Sequence, residues 1–150
     1  MIREARLDEV RAVTEYMKQF ESCTKHVKVD VEHGVKIYER IVKNGMGAML
    51  VLFDETGTEI RGGLGCIKAP DLSYPRMIAV ETFWFVAPEH RGKGLSLFHA
   101  FEEWARKNGC DACAMIHLSD SYPEVLERLY IRNGYELVEK HFVKELRPCQ

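Results

Sequence analysis

Residues 91–96 read Arg-Gly-Lys-Gly-Leu-Ser, and two cations and two glycines within four positions can hold an anion by charge and by backbone at once. Gly92 and Gly94 lack a Cβ, so their backbone can approach a ligand in conformations that other residues avoid. A helical pattern begins at Gly94. The first N–H groups of a helix have no intrahelical partner, and its dipole places roughly half a positive charge there. With Arg91 and Lys93 adding two full charges, the expected ligand is a diphosphate rather than a neutral molecule.

Two common phosphate loops do not fit these residues. A P-loop needs Gly-Lys followed at once by Ser or Thr, and Lys93 is followed by Gly94. A dinucleotide fingerprint needs a third glycine at the position of Leu97, with an acidic residue about 20 positions on. What the segment Val86-Ala-Pro88 followed by Arg91-Gly92-Lys93-Gly94-Leu95-Ser96 does resemble is motif A of the GCN5-related N-acetyltransferases. Ser96 departs from the small-residue position of that motif, with a hydroxyl that can itself donate to phosphate. A second segment, Leu129-Tyr130-Ile-Arg-Asn133-Gly134-Tyr135, is similar to the family's later Leu-Tyr-x-x-x-Gly-Phe/Tyr.

The resemblance implies an α/β (α+β) fold with a mixed central sheet flanked by helices on both faces, over one N-acetyltransferase domain spanning 1–150. It implies acetyl-CoA as cosubstrate and no metal. Residues Arg91, Gly92, Lys93, Gly94, Leu95 and Ser96 would cradle its pyrophosphate. The strand before motif A and the strand after its helix would splay apart, so that backbone groups of Trp84, Phe85 and Val86 bind pantetheine as if it were an added strand. The acceptor would be a small-molecule or peptide amine. Many relatives carry an asparagine where this chain has Pro123, so its contact would be lost or supplied by Asp120 or Ser121. The family resemblance also leaves room for a homodimer through the final strand region, without a legible interface.

The chemistry of such a transfer sets three tasks. An amine with a pKa near 10.4 is almost wholly protonated at pH 7, so a base must take its proton; the thioester oxygen then needs a donor, and the departing thiolate needs a proton or hydrogen bond. Tyr130 is the candidate acid by resemblance, against the alternative of a packed aromatic. Glu81 is the candidate base by resemblance, directly or through water, against the alternative of a strand carboxylate paired to a cation or reaching solvent; strand alternation places it on the face of Phe83 and Phe85, where burial would raise its pKa. His117 is the alternative base, with a hydrogen-bonded core histidine as the competing reading. A silent acyl-CoA-binding module of the same fold would need neither residue.

Periodicity supplies the elements that must position these groups. Strands are expected at Ile2–Ala5, Met46–Phe53, Ile60–Ile67, Met77–Val86, Ala112–Leu118 and in a final strand or pair through Leu146. Helices are expected from Leu7 to Phe20, from Val31 to Val42 with a stop at Asn44-Gly45, from Gly94 to Asn108, and through Tyr130 to Asn133. The acceptor cleft would be bordered by Lys25, His26, Lys28, Glu32, Asp71 and Tyr74.

Composition bounds the rest. A chain of 150 residues with 46% hydrophobic content can bury a full core, and a net charge of −2 with interleaved signs gives no bulk reason for nucleic-acid binding. No apolar run reaches the length of a membrane span and the N-terminus lacks a signal-peptide profile, so the cytoplasm is the expected location. Five cysteines at irregular spacing make no disulfide framework. Cys110 and Cys113, if both lie on a strand, point to opposite faces and chelate poorly; Cys149 is the thiol expected to be exposed.

Overall fold

The computed structural model describes residues 1–148. Five strands form one sheet in the order β1-β2-β3-β4-β5, with β1 (Ile2–Glu4), β2 (Gly47–Phe53), β3 (Ile60–Pro70), β4 (Met77–Val86) and β5 (Ala112–Ala114). The first four run antiparallel to their neighbours, and β5 joins β4 in parallel, as it must after a helical crossover. Helices α1 (Val10–Met17) and α2 (Val31–Lys43) lie on one face, while α3 (Gly94–Lys107) lies on the other and α4 (Pro123–Arg132) follows β5.

Each helix starts and stops for a local reason. The Asp30 side chain caps α2 by accepting from the His33 N–H at 2.9 Å. Pro123 occupies the first turn of α4, where a missing N–H costs nothing. Asn44-Gly45, Asn108-Gly109 and Asn133-Gly134 end three helices, with the glycines at φ +64°, +73° and +86°. The first expected helix is instead a short α-helix between tight turns at Leu7–Glu9 and Lys18–Ser22.

Two cores sandwich the sheet. Met49, Val51, Phe53 and Phe83 pack with Val10 and Val13 under α1, and Leu50, Leu64, Cys66 and Ala79 pack with Leu97, Phe101 and Trp104 under α3. This alternation along β2 and β3 produces the expected mixed sheet with helices on both faces.

The C-terminal third departs from the sequence-based expectation. The strand expected at Ala112–Leu118 stops at Ala114, because the Ile116 N–H and C=O turn to side chains instead of a ladder. No strand forms after α4 among the described residues, and the segment through Pro148 is exposed. Cys110 precedes β5 and only Cys113 lies on it; both pack beside the α3 core. Cys149 lies outside the described residues.

Candidate active site

The glycine-rich turn is a compact coil rather than an open loop. Pro88–Lys93 form a 3-10 turn that runs straight into α3, and the Gly94 N–H is returned to the Arg91 carbonyl. A Cβ on Gly92 would meet nothing within 4 Å, so its backbone faces open space, whereas a Cβ on Gly94 would stand 3.5 Å from the Trp84 ring. Arg91 donates to the Tyr122 hydroxyl at 3.1 Å with its guanidinium 5.1 Å from that ring. Tyr122 holds φ +51° just before Pro123, a left-handed conformation that costs energy in a residue with a Cβ. The Arg91–Tyr122 contact thus joins the start of α3 to the start of α4.

Between those two helix starts the sheet opens. The β4–β5 ladder pairs only Ile78–Val80 with Ala112–Ala114. From Glu81 to Val86 the edge of β4 facing away from β3 has no strand beside it, and Trp84, Phe85 and Val86 lie on that free edge. The Trp84 indole N–H is buried there without a partner. A free strand edge, an unmet donor, open backbone at Gly92 and the cations of Arg91 and Lys93 together fit an extended ligand that ends in phosphates.

A one-residue bulge corrects the expected orientation of Glu81. Gly65 pairs with Phe83, but its neighbour Cys66 pairs with Glu81, so Thr82 is the extra residue. Beyond the bulge the alternation changes phase. Glu81 therefore shares the α3 face with Trp84 and Val86, opposite Phe83 and Phe85. Thr82 turns to α2, where its hydroxyl meets that of Tyr38 at 2.9 Å. The glycines of β3 explain how the bulge fits: Gly63 and Gly65 stand opposite Phe85 and Phe83, and a Cβ on Gly65 would collide with the Phe83 ring and the Thr82 hydroxyl.

The new phase brings the two candidate catalytic residues together. Ile116 N–H donates to Glu81 Oε2 at 3.1 Å, and Tyr130 Oη donates to the Ile116 carbonyl at 2.8 Å. Ile116, two residues past the end of β5, thus anchors both side chains at the mouth of the opening. Burial pushes the Glu81 carboxyl up to about 8, relieved only by the Ile116 N–H. The Tyr130 phenol is raised well above its ordinary value, first by burial and then by the Glu81 charge. Its ring stacks on Phe98 at 6.2 Å and lies 6.5 Å from Trp84.

The family is decided by the sequence profile of the "Acetyltransferase (GNAT) family", which matches residues 11–135. The chain belongs to this family. No curated protein sequence matches it significantly. Solved structures share the GNAT fold at low identity. A transcriptional regulator from Bacillus halodurans C-125 superposes with a TM-score of 0.79 at 20% identity, covering 97% of this chain and 99% of that one. An aminoglycoside acetyltransferase from an uncultured soil metagenomic sample gives 0.75 at 18%, covering 98% of each. Glucosamine-6-phosphate N-acetyltransferase from Arabidopsis thaliana gives 0.73 at 15%, again covering 98% of each.

On the α1–α2 side of the GNAT sheet, beside the bulge, a cavity of about 160 Å³ is walled mainly by Met17, Phe20, Val29, Tyr38 and Phe83, with Asp30 and His33 at its polar part. Lys28 borders it, but the Asp71–Arg76 turn does not: Asp71 closes that turn on Ser73 and Arg76 at the far end of β4. Glu32 is paired with Arg11 at 2.7 Å. His117 stands 3.7 Å from Glu127 with its Nδ1 unmet, and the Ile116 N–H, not His117, reaches Glu81. Asp120 is likewise engaged elsewhere, accepting from Thr24 at 2.6 Å and from the Lys25 N–H at 3.0 Å. Among the described residues no cluster of three His, Cys, Asp or Glu side chains could hold a metal, and no helix is long and apolar enough to cross a membrane.

Sequence reading missed Ile116, Thr82, Tyr38 and Tyr122. The first acts through its backbone and so leaves no side-chain signature. The bulge had one indirect signal, the spacing of Gly63 and Gly65 by two on a strand, which marks large rings on the neighbour.

Proposed function

We propose that this GNAT acetyltransferase moves an acetyl group from acetyl-CoA to a primary amine by direct transfer, with Glu81 as base and Tyr130 as acid. The observation that carries the reading is the pairing of both side chains on Ile116 where β4 and β5 part. Acetyl-CoA would supply the activated thioester. The diphosphate would lie against Gly92 with Arg91 and Lys93 as counter-charges, and the pantetheine arm along the free edge of Trp84, Phe85 and Val86.

A carboxyl near 8 is a better base than an ordinary glutamate, because its conjugate acid is closer in strength to an ammonium group. Only about a tenth of it is ionised at pH 7, so the rate should climb with pH until Glu81 is deprotonated. Tyr130 keeps its proton throughout this range. By letting go of the Ile116 carbonyl its hydroxyl can turn to the departing sulfur, stabilise the thiolate by hydrogen bonding and pass it the proton. The acceptor would enter from the α1–α2 side, its apolar part against Phe20 and Phe83 and its amine carried past Thr82 to the edge where Glu81 waits.

A CoA-release assay over an amine panel tests the reading. Wild type should show kcat rising through an apparent pKa near 8. Tyr130→Phe should lose roughly 10²-fold in kcat, with KM for acetyl-CoA changed less than about threefold. Saturable acetyl-CoA binding without turnover of any amine would leave the silent acyl-CoA module in its place.

A further inference from the structure

Among the described residues Tyr122 is the one non-glycine residue on left-handed backbone, at φ +51°. Two costs meet there, because its Cβ crowds the neighbouring carbonyl and a residue before proline is pushed towards extended backbone. Glycine would remove the first of them. Packing does not offset the tyrosine's cost, since the residue is 57% exposed and belongs to neither core. The conformation is fixed from both sides. Asp120 is held by Thr24 and the Lys25 N–H, the Ser121 N–H donates to the Leu118 carbonyl at 3.2 Å, and the Tyr122 carbonyl accepts from the Leu126 N–H at 3.1 Å as α4 begins. Backbone strain persists only where its surroundings over-determine it in this way, and it collects at sites that use it.

The strained backbone presents one contact, the one with Arg91. Arg3, Arg11 and Arg76 each meet a carboxylate within 2.8 Å. Arg91 meets no carboxylate among the described residues; Nη1 donates to the neutral Tyr122 hydroxyl at 3.1 Å, and the guanidinium lies 5.1 Å from the ring centroid. The difference matters for an anion. A carboxylate would cancel the charge of the guanidinium and occupy its fork, whereas a phenol and a ring face fix its position and leave both the charge and the donors on Nε and Nη2 for phosphate oxygens. An arginine already held in place also loses less side-chain freedom when the ligand arrives.

We propose that Tyr122 is a positioning residue for the diphosphate of acetyl-CoA, holding the Arg91 guanidinium at the opening between the starts of α3 and α4 before the ligand binds. The proposal rests on the acetyl-CoA reading of this site and adds a residue from outside the glycine-rich turn.

A double-mutant cycle read by calorimetric titration of acetyl-CoA tests it, with circular dichroism and thermal melts on every variant. Tyr122→Leu and Arg91→Met should each weaken binding about tenfold, and the double variant should bind within about threefold of Arg91→Met alone, because Tyr122 acts through Arg91. Tyr122→Phe keeps the ring under the guanidinium and should stay within about threefold of wild type. Tyr122→Gly relieves the backbone, so it should melt within about 4 °C of wild type while binding about tenfold more weakly. A Tyr122→Leu variant that binds as wild type does overturns the proposal. So do losses that simply add in the double variant, and so does a Tyr122→Gly variant that loses stability and affinity together, which would make the tyrosine a clasp between two helices. A folded wild type that binds no acetyl-CoA would instead remove the cofactor reading along with the proposal.

Discussion

Glu81 links the stability of this protein to its chemistry. Its carboxyl titrates near 4.5 when unfolded and near 8 when folded. Between those values the native state keeps a proton that the unfolded chain has lost, so stability falls as pH rises from 4.5 to 8 and then levels off. Glu81→Gln keeps a group that can accept from the Ile116 N–H but removes the charge. Thermal melts should show the variant matching wild type near pH 4.5 and exceeding it at pH 8.5 by at least roughly 2–4 °C, the shift that about 1 kcal/mol produces in a chain of this size. The same variant should lose the rise of kcat through pH 8. Equal melting temperatures at pH 8.5 would mean that Glu81 is not buried as a neutral acid. Tyr130→Phe has a different signature. It leaves the Ile116 carbonyl without its donor and should cost about 1–3 kcal/mol in stability as well as rate. The identity of both residues could be read from the sequence, but not their meeting. Simple alternation put Glu81 on the wrong face, because an extra residue in a strand has no side-chain signature of its own.

At the scale of elements, the bulge in β4 is what a single glycine makes possible. Gly65 leaves room for Phe83 and the Thr82 hydroxyl where any Cβ would collide with both. Gly65→Ala should therefore destabilise the protein by about 1–3 kcal/mol in urea unfolding and lower kcat with it, since the phase of Glu81 relative to Trp84 depends on Thr82 remaining outside the ladder. Gly92 is the matching control, with nothing within 4 Å of an added Cβ and no left-handed φ. Gly92→Ala should leave the denaturation midpoint unchanged or slightly raised. A destabilised Gly92→Ala together with an unaffected Gly65→Ala would contradict the assignment of the bulge. The contrast also shows why the turn at 91–96 was legible and the bulge was not. The turn's residues are consecutive, so its chemistry is written in one place. The bulge depends on Gly65 and Thr82, which meet only through pairing of β3 with β4.

For the whole molecule, periodicity found the four main helices and five strands because their apolar residues repeat at helix or strand spacing, most of them against one of two cores. It failed after Ala112, where the backbone serves side chains: Ile116 spends its N–H and C=O on Glu81 and Tyr130, and the strand stops. The same apolar pattern that predicted final strands is present in the C-terminal segment, but no strand forms there among the described residues. The cavity beside the bulge was only partly legible, since its walls come from α1, the α1–α2 connection, α2 and β4, and proximity among them is a product of the fold. The central claim, that the opening between β4 and β5 receives acetyl-CoA, is tested most directly by calorimetric titration of acetyl-CoA into wild type and Gly94→Glu, both checked for folding by circular dichroism. The variant sets a carboxylate at the start of α3, against Trp84. Saturable 1:1 binding to wild type, weakened at least about tenfold in a folded variant, is the expected result; a folded wild type that binds no acetyl-CoA would contradict the account.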